Sequence, residues 1–70
     1  MTVKELLKYA TYIDGNVIVY GYDDVGNDAI LFQFVGVPLT SHIPSRIANA
    51  EIEGYEVEEG IFRIYTMLVE

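Results

Sequence analysis

Three stretches of this chain are apolar at nearly every position: Val17-Ile18-Val19-Tyr20, Ala29-Ile30-Leu31-Phe32-Gln33-Phe34-Val35 and Ile61-Phe62-Arg63-Ile64-Tyr65. β-Branched and aromatic residues dominate them, so they read as strands. A strand with one wet face alternates apolar with polar residues, whereas a nearly unbroken apolar run implies cover on both faces. The pattern predicts one convincing helix to supply that cover. Val3, Leu6, Leu7 and Ala10 fall at i, i+3, i+4 and i+7 on one helical face, with Lys4, Glu5 and Lys8 opposite. Thr2-Val3-Lys4-Glu5 has the form of a capping box. Asp14-Gly15-Asn16 is turn chemistry, so the helix is expected to end near Tyr12. One short helix cannot shelter both faces of a sheet. A partner, a second copy or curling of the sheet on itself must occupy the other face.

The remaining elements follow from punctuation. The first strand is predicted over about Val17–Tyr22, with a hairpin loop at Asp23-Asp24-Val25-Gly26-Asn27-Asp28 in which Gly26 and Asn27 supply positive φ. The second strand runs over about Ala29–Val37, and Pro38 stops it because proline lacks a ladder donor. Pro44 suits the first position of a short helical turn through Ser45-Arg46-Ile47-Ala48, with Asn49 as a left-handed terminator. The third strand, about Glu51–Glu58, mixes acids with Ile52, Tyr55 and Val57. Its parity slips at Gly54, which predicts a bulge there and a place at the sheet edge. Glu59-Gly60 turns the chain into the fourth strand, Ile61–Leu68. The expectation is a single α+β domain over 1–70: one N-terminal helix on a four-stranded antiparallel sheet of two hairpins, in the order 2-1-4-3.

At seventy residues the chain can build one core only, with a net stability on the order of 4–10 kcal/mol. It has no cysteine and no zinc-type ligand cluster, so self-association is the remaining way to reinforce so small a scaffold. The formal charge is −7, eleven acids against Lys4, Lys8, Arg46 and Arg63. That field repels phosphate backbones and offers few cations for counterion release, which argues against nucleic acid as a partner. The opening residues form an amphipathic segment in place of an apolar signal region, and the longest apolar stretch falls short of the ~20 residues that a membrane helix needs. No membrane association and a cytoplasmic location are expected.

Val3-x-Glu5-Leu6-Leu7, Ile43-Pro44-x-x-Ile47-x-Asn49-x-Glu51-Ile52 and Ile61-x-x-Ile64-Tyr65 together resemble a group of short phage- and prophage-type proteins. His42 stands where those proteins commonly carry an acid. The resemblance rests on fold-forming positions, and it implies a phage-linked origin and no mechanism.

Candidate chemistry is sparse. His42, the only histidine, has the hydroxyls of Thr40, Ser41 and Ser45 as sequence neighbours but no orienting acid in a nucleophile pattern. Asp23, Asp24, Asn27 and Asp28 put four oxygen ligands within six residues, yet miss the calcium-loop spacing, and turn formation already accounts for them. The six glycines are scattered and form no phosphate-binding loop, so no cofactor and no enzymatic activity are expected. Period-two placement sends Val17, Val19, Ile30, Phe32, Phe34, Phe62, Ile64 and Leu68 toward the helix. It sends Ile18, Tyr20, Tyr22, Leu31, Gln33, Val35, Arg63, Tyr65 and Met67 to the outer face. Tyrosine, arginine and methionine among apolar residues are what protein–protein interface cores contain. The functional expectation is a non-enzymatic, acidic interaction module, a homodimer or a protein-partner binder through that face. The other reading is an acidic inhibitor that takes the place of DNA on a basic host protein, with the third strand as its row of carboxylates.

Overall fold

The capping box forms as the sequence requires. In the computed structural model, which describes residues 1–9, 16–35 and 42–70, Thr2 Oγ1 accepts from the Glu5 backbone N–H at 3.2 Å. Glu5 Oε1 in turn accepts from the Thr2 N–H at 3.1 Å. These bonds start helix α1, Val3–Tyr9, which buries Val3, Leu6 and Leu7 and leaves Lys4, Glu5 and Lys8 exposed. The expected continuation to Tyr12, with Ala10, lies outside the described residues. The Thr2 backbone N–H and then its hydroxyl hold the Glu5 carboxyl below the ordinary glutamate range. A depressed carboxylate contributes stability that is present above its unfolded pKa, about 4.3, and is lost as pH falls through the folded value. Glu5→Gln should therefore lose less stability than the parent between about pH 5 and about pH 3. Denaturation midpoints of the two proteins that stay parallel down that range would refute the assignment.

Among the described residues four strands follow: β1 (Asn16–Tyr22), β2 (Asp28–Val35), β3 (Ile52–Glu58) and β4 (Ile61–Val69), with a short helix α2 (Ser45–Ala48) between the hairpins. Their order is β2-β1-β4-β3, so β1 and β4 are central and β3 is an edge, as expected. The sheet is mixed, however, where an all-antiparallel one was expected. β1 pairs antiparallel with β2 and β3 with β4, but β1 and β4 run parallel. The reason lies in the connection. β2 ends at Val35 opposite Asn16, the start of β1, whereas β3 begins at Ile52 opposite Thr66, near the end of β4. β2 therefore ends at one end of the sheet and β3 begins at the other, and a connection between parallel strands needs a dozen residues or more.

Pro44 precedes α2 with extended backbone (φ −51°, ψ 137°) and so sits one position outside the helix. Asn49 ends it at φ −93° and ψ 3°, not in the left-handed region; its N–H reaches back to the Ser45 carbonyl instead. The chain start is pinned beside the entry to β3, with Val3 N donating to Ala50 O and Ile52 N to Met1 O. The core is one cluster on one side of the sheet. Val3, Leu6, Leu7, Ile43, Ile47, Ala48 and Ala50 from the helical layer meet Val17, Val19, Phe62 and Ile64 from the central strands. Phe32, Phe34, Leu31, Ile52 and Leu68 pack around it, partly buried.

Gly26 has positive φ in the first hairpin loop, whereas Asn27 does not. There Asp23 supplies the turn chemistry, its Oδ1 accepting from the N–H groups of Val25 and Asn27. Among the described residues the left-handed non-glycine one is Glu59 in the second hairpin (φ 50°), followed by Gly60 (φ 78°). Glu58 pairs with Ile61 around them. Two positive φ angles in a two-residue loop are the type I′ pattern, which favours Asn-Gly. Glu59→Asn should relieve the strain and stabilise the fold by roughly 0.5 kcal/mol, or a few degrees in melting temperature. A midpoint that is unchanged or lower would show that Glu59 carries no such cost.

Candidate functional site

The face of the sheet turned away from α1 and α2 is where most of the predicted interface residues gather. Parity along β1 and β4 alternates buried Val17, Val19, Phe62, Ile64 and Thr66 with half-buried Ile18, Tyr20, Tyr22, Arg63 and Tyr65. Gln33 and Val35 of β2 and Met67 of β4 complete the outer set, all exposed. Leu31 does not belong to it. The β1–β2 register shifts between Val19 and Tyr20, so Val19 faces Phe32 but Tyr20 faces Ile30. Leu31 is the extra residue, and it turns into the core side against Gly21. Ile30 takes the outer place opposite Tyr20 and is 54% exposed. A strand bulge inverts side-chain parity, and the apolar run Ala29–Val35 carries no mark of where that inversion falls. The bulge expected near Gly54 is present: Ile52 faces Thr66 and Gly54 faces Tyr65, leaving Glu53 as the extra residue.

Cross-strand register arranges the outer face in rows. Gln33, Ile18, Arg63 and Glu56 form one row across β2, β1, β4 and β3; Ile30, Tyr20, Tyr65 and Gly54 form the next. The parallel β1–β4 pairing sets Tyr20 beside Tyr65, and their rings stack with centroids 5.1 Å apart and planes 15° from parallel. Gly54 leaves the space beside Tyr65 open on the edge strand. Around this centre lie exposed apolar residues: Val35 (76%), Met67 (65%) and Val69 (53%). None of the outer residues is buried, so among the described residues curling of the sheet does not cover this face.

Carboxylates of β3 line one side and hold the tyrosines. The Tyr65 hydroxyl donates to Glu56 Oε1 at 2.8 Å, and the Tyr22 hydroxyl to the Glu53 carboxylate at 2.8 and 2.9 Å. Each bond, reinforced by partial desolvation, raises the tyrosine above its ordinary pKa. The Arg63 guanidinium is likewise pushed above its ordinary value, first by the Tyr20 hydroxyl beside it and then, against some desolvation, by the Glu56 carboxylate. At neutral pH Tyr22 and Tyr65 are therefore neutral, and Arg63 is a fixed cation. Glu53 and Glu56 are neighbours of this face that the period-two assignment overlooked; they arrive through the bulge and the diagonal reach of the tyrosine rings.

Other candidates do not converge. His42 is exposed on the single turn before Ile43, while Thr40 and Ser41 lie outside the described residues. Asp23 is engaged in its own turn, and Asp24 and Asp28 are exposed around it. Among the described residues no group of three His, Asp or Glu side chains is placed to hold a metal ion. No helix among them is long and apolar enough to cross a membrane. Comparison with known proteins adds no relative: no family model, no curated protein and no solved structure matches this chain.

Proposed function

We propose that this protein is a small, acidic, non-enzymatic interaction module that docks through the outer face of its sheet onto a second copy of itself. The observation that carries this reading is the uncovered face itself: a stacked tyrosine pair at its centre, exposed Val35, Ile30, Met67 and Val69 around it, and polar groups at the β3 side. An aromatic centre among exposed apolar residues, bordered on one side by polar groups, has the composition of an interface core. The paired state of Glu53 and Glu56 favours this over the inhibitor that imitates DNA, since those carboxylates already accept from tyrosines within the chain. Four strands about 4.8 Å apart and eight residues of about 3.3 Å give roughly 500 Å² in projection. That is the small class of interface, so micromolar association is expected.

Light scattering over a concentration series tests it. The parent should rise above the 7.9 kDa of one chain, and Tyr20→Lys should halve the mass that the parent reaches while its circular dichroism stays the same. A parent that remains monomeric at several hundred micromolar, or a Tyr20→Lys variant that associates as the parent does, would refute face docking. Loss of the folded signal in Tyr20→Lys would instead place Tyr20 in the core.

A further inference from the structure

The two edges of the sheet are built differently. β3 carries Glu53, Glu56 and Glu58, is flanked by Glu51 and Glu59, and has Glu53 as the extra residue of its bulge. Charge and a bulge both discourage a further strand from pairing. β2, the other edge, has no charged residue from Ala29 to Val35, and beyond Leu31 its register with β1 is regular from Phe32 to Val35. Among the described residues only β1 pairs with β2, so alternate N–H and C=O groups of β2 point outward without a strand partner. Phe32 and Phe34 report the same opening. They pack against the core and against each other, with centroids 5.9 Å apart, yet both stay only half-buried.

We propose that β2 pairs antiparallel with β2 of a second copy, about a twofold axis at Gln33, to form one continuous eight-stranded sheet. The strand is complementary to itself in that register. The two Gln33 amides face each other on the outer side, and Phe32 of each copy stands opposite the partner's Phe34 on the core side, where cross-strand aromatic pairs are favourable. Charge selects this edge as well. Each copy carries −7, and joining through β2 holds the two acidic β3 edges seven strand spacings apart, about 34 Å, several Debye lengths at physiological salt. Joining through β3 would bring the glutamates together. Edge pairing also merges two outer faces into one surface of roughly 1,000 Å² in projection. This contact is separate from face docking, and either can form without the other.

Because the chain has no cysteine, a single introduced thiol reads the contact directly. Gln33→Cys should oxidise to a disulfide-linked dimer at least tenfold faster than Glu56→Cys at the opposite edge. It should do so equally in the Tyr20→Lys background, whose mass should then be that of a dimer. Equal rates for the two cysteine variants would overturn edge pairing. So would fast cross-linking of Gln33→Cys that disappears with Tyr20→Lys, an outcome that leaves face docking standing. A Tyr20→Lys variant that cross-links quickly at Gln33 while its mass is half that of the parent supports both contacts.

Discussion

Gly21→Val is expected to cost the protein at least about 3 kcal/mol, out of a net stability on the order of 4–10 kcal/mol. A Cβ at Gly21 would stand 2.5 Å from the Leu68 carbonyl oxygen and 2.6 Å from Leu31 Cδ1. Leucine can rotate away, but the carbonyl belongs to the main chain of β4, so the two central strands would have to part. The crowding has a definite origin. From Tyr20 to Tyr22, β1 advances two residues, while its partners in β4, Tyr65 and Val69, lie four apart. The two additional residues of β4 bow its backbone over β1 at this point, and only a residue without a side chain fits beneath. Urea denaturation checks the expectation: a Gly21→Val midpoint within about 0.5 kcal/mol of the parent would show that the strands accommodate the side chain easily.

Thr66→Val is the second large effect, expected to destabilise by roughly 2–3 kcal/mol with almost no change in volume. Thr66 is 1% exposed, and its hydroxyl bridges the same irregularity. It donates to the Tyr20 carbonyl at 2.8 Å and accepts from the Leu68 N–H at 3.2 Å, where the ladder between β1 and β4 is interrupted. Valine removes both of these partly buried bonds, and an unmade buried hydrogen bond costs more than a made one contributes. Thr66→Ser keeps the hydroxyl and removes one methyl group, which should cost about 1 kcal/mol. The order of the pair is the test. A serine variant less stable than the valine variant would mean that packing, and not the bridge, keeps threonine there.

Gly21 and Thr66 also mark where the sequence stops being readable. Nothing in Val17–Tyr22 or Ile61–Leu68 distinguishes a glycine under a bowed strand from one at an ordinary kink, and Thr66 reads as one more polar position in a strand. Both meanings arise from the register of β1 against β4, which neither strand encodes by itself. The same holds for the outer face. Tyr20 and Tyr65 are assigned to one side by parity, but their stacking depends on the strands being parallel neighbours. Leu31 and Ile30 exchange sides because a bulge between them changes the count.

What the chain determines locally, it determines well. The capping box, the apolar helix face, the limits of the four strands to within a residue or two where they are described, the shifted register near Gly54 and the charged edge all follow from interactions among residues close in sequence. These are the propensities, caps and turns that a short peptide already feels. In the order 2-1-4-3, the acids and the bulge of β3 mark it as an edge in the sequence, whereas β2 is as apolar as β1 and its place at the other edge is not legible from composition. The direction of β4 relative to β1, the exchange of Leu31 for Ile30, the left-handed Glu59 and the buried hydroxyl of Thr66 were decided only by the assembled fold. A crossover that ends at one side of the sheet or the other costs the local chain nearly the same, and packing of the whole core selects between them.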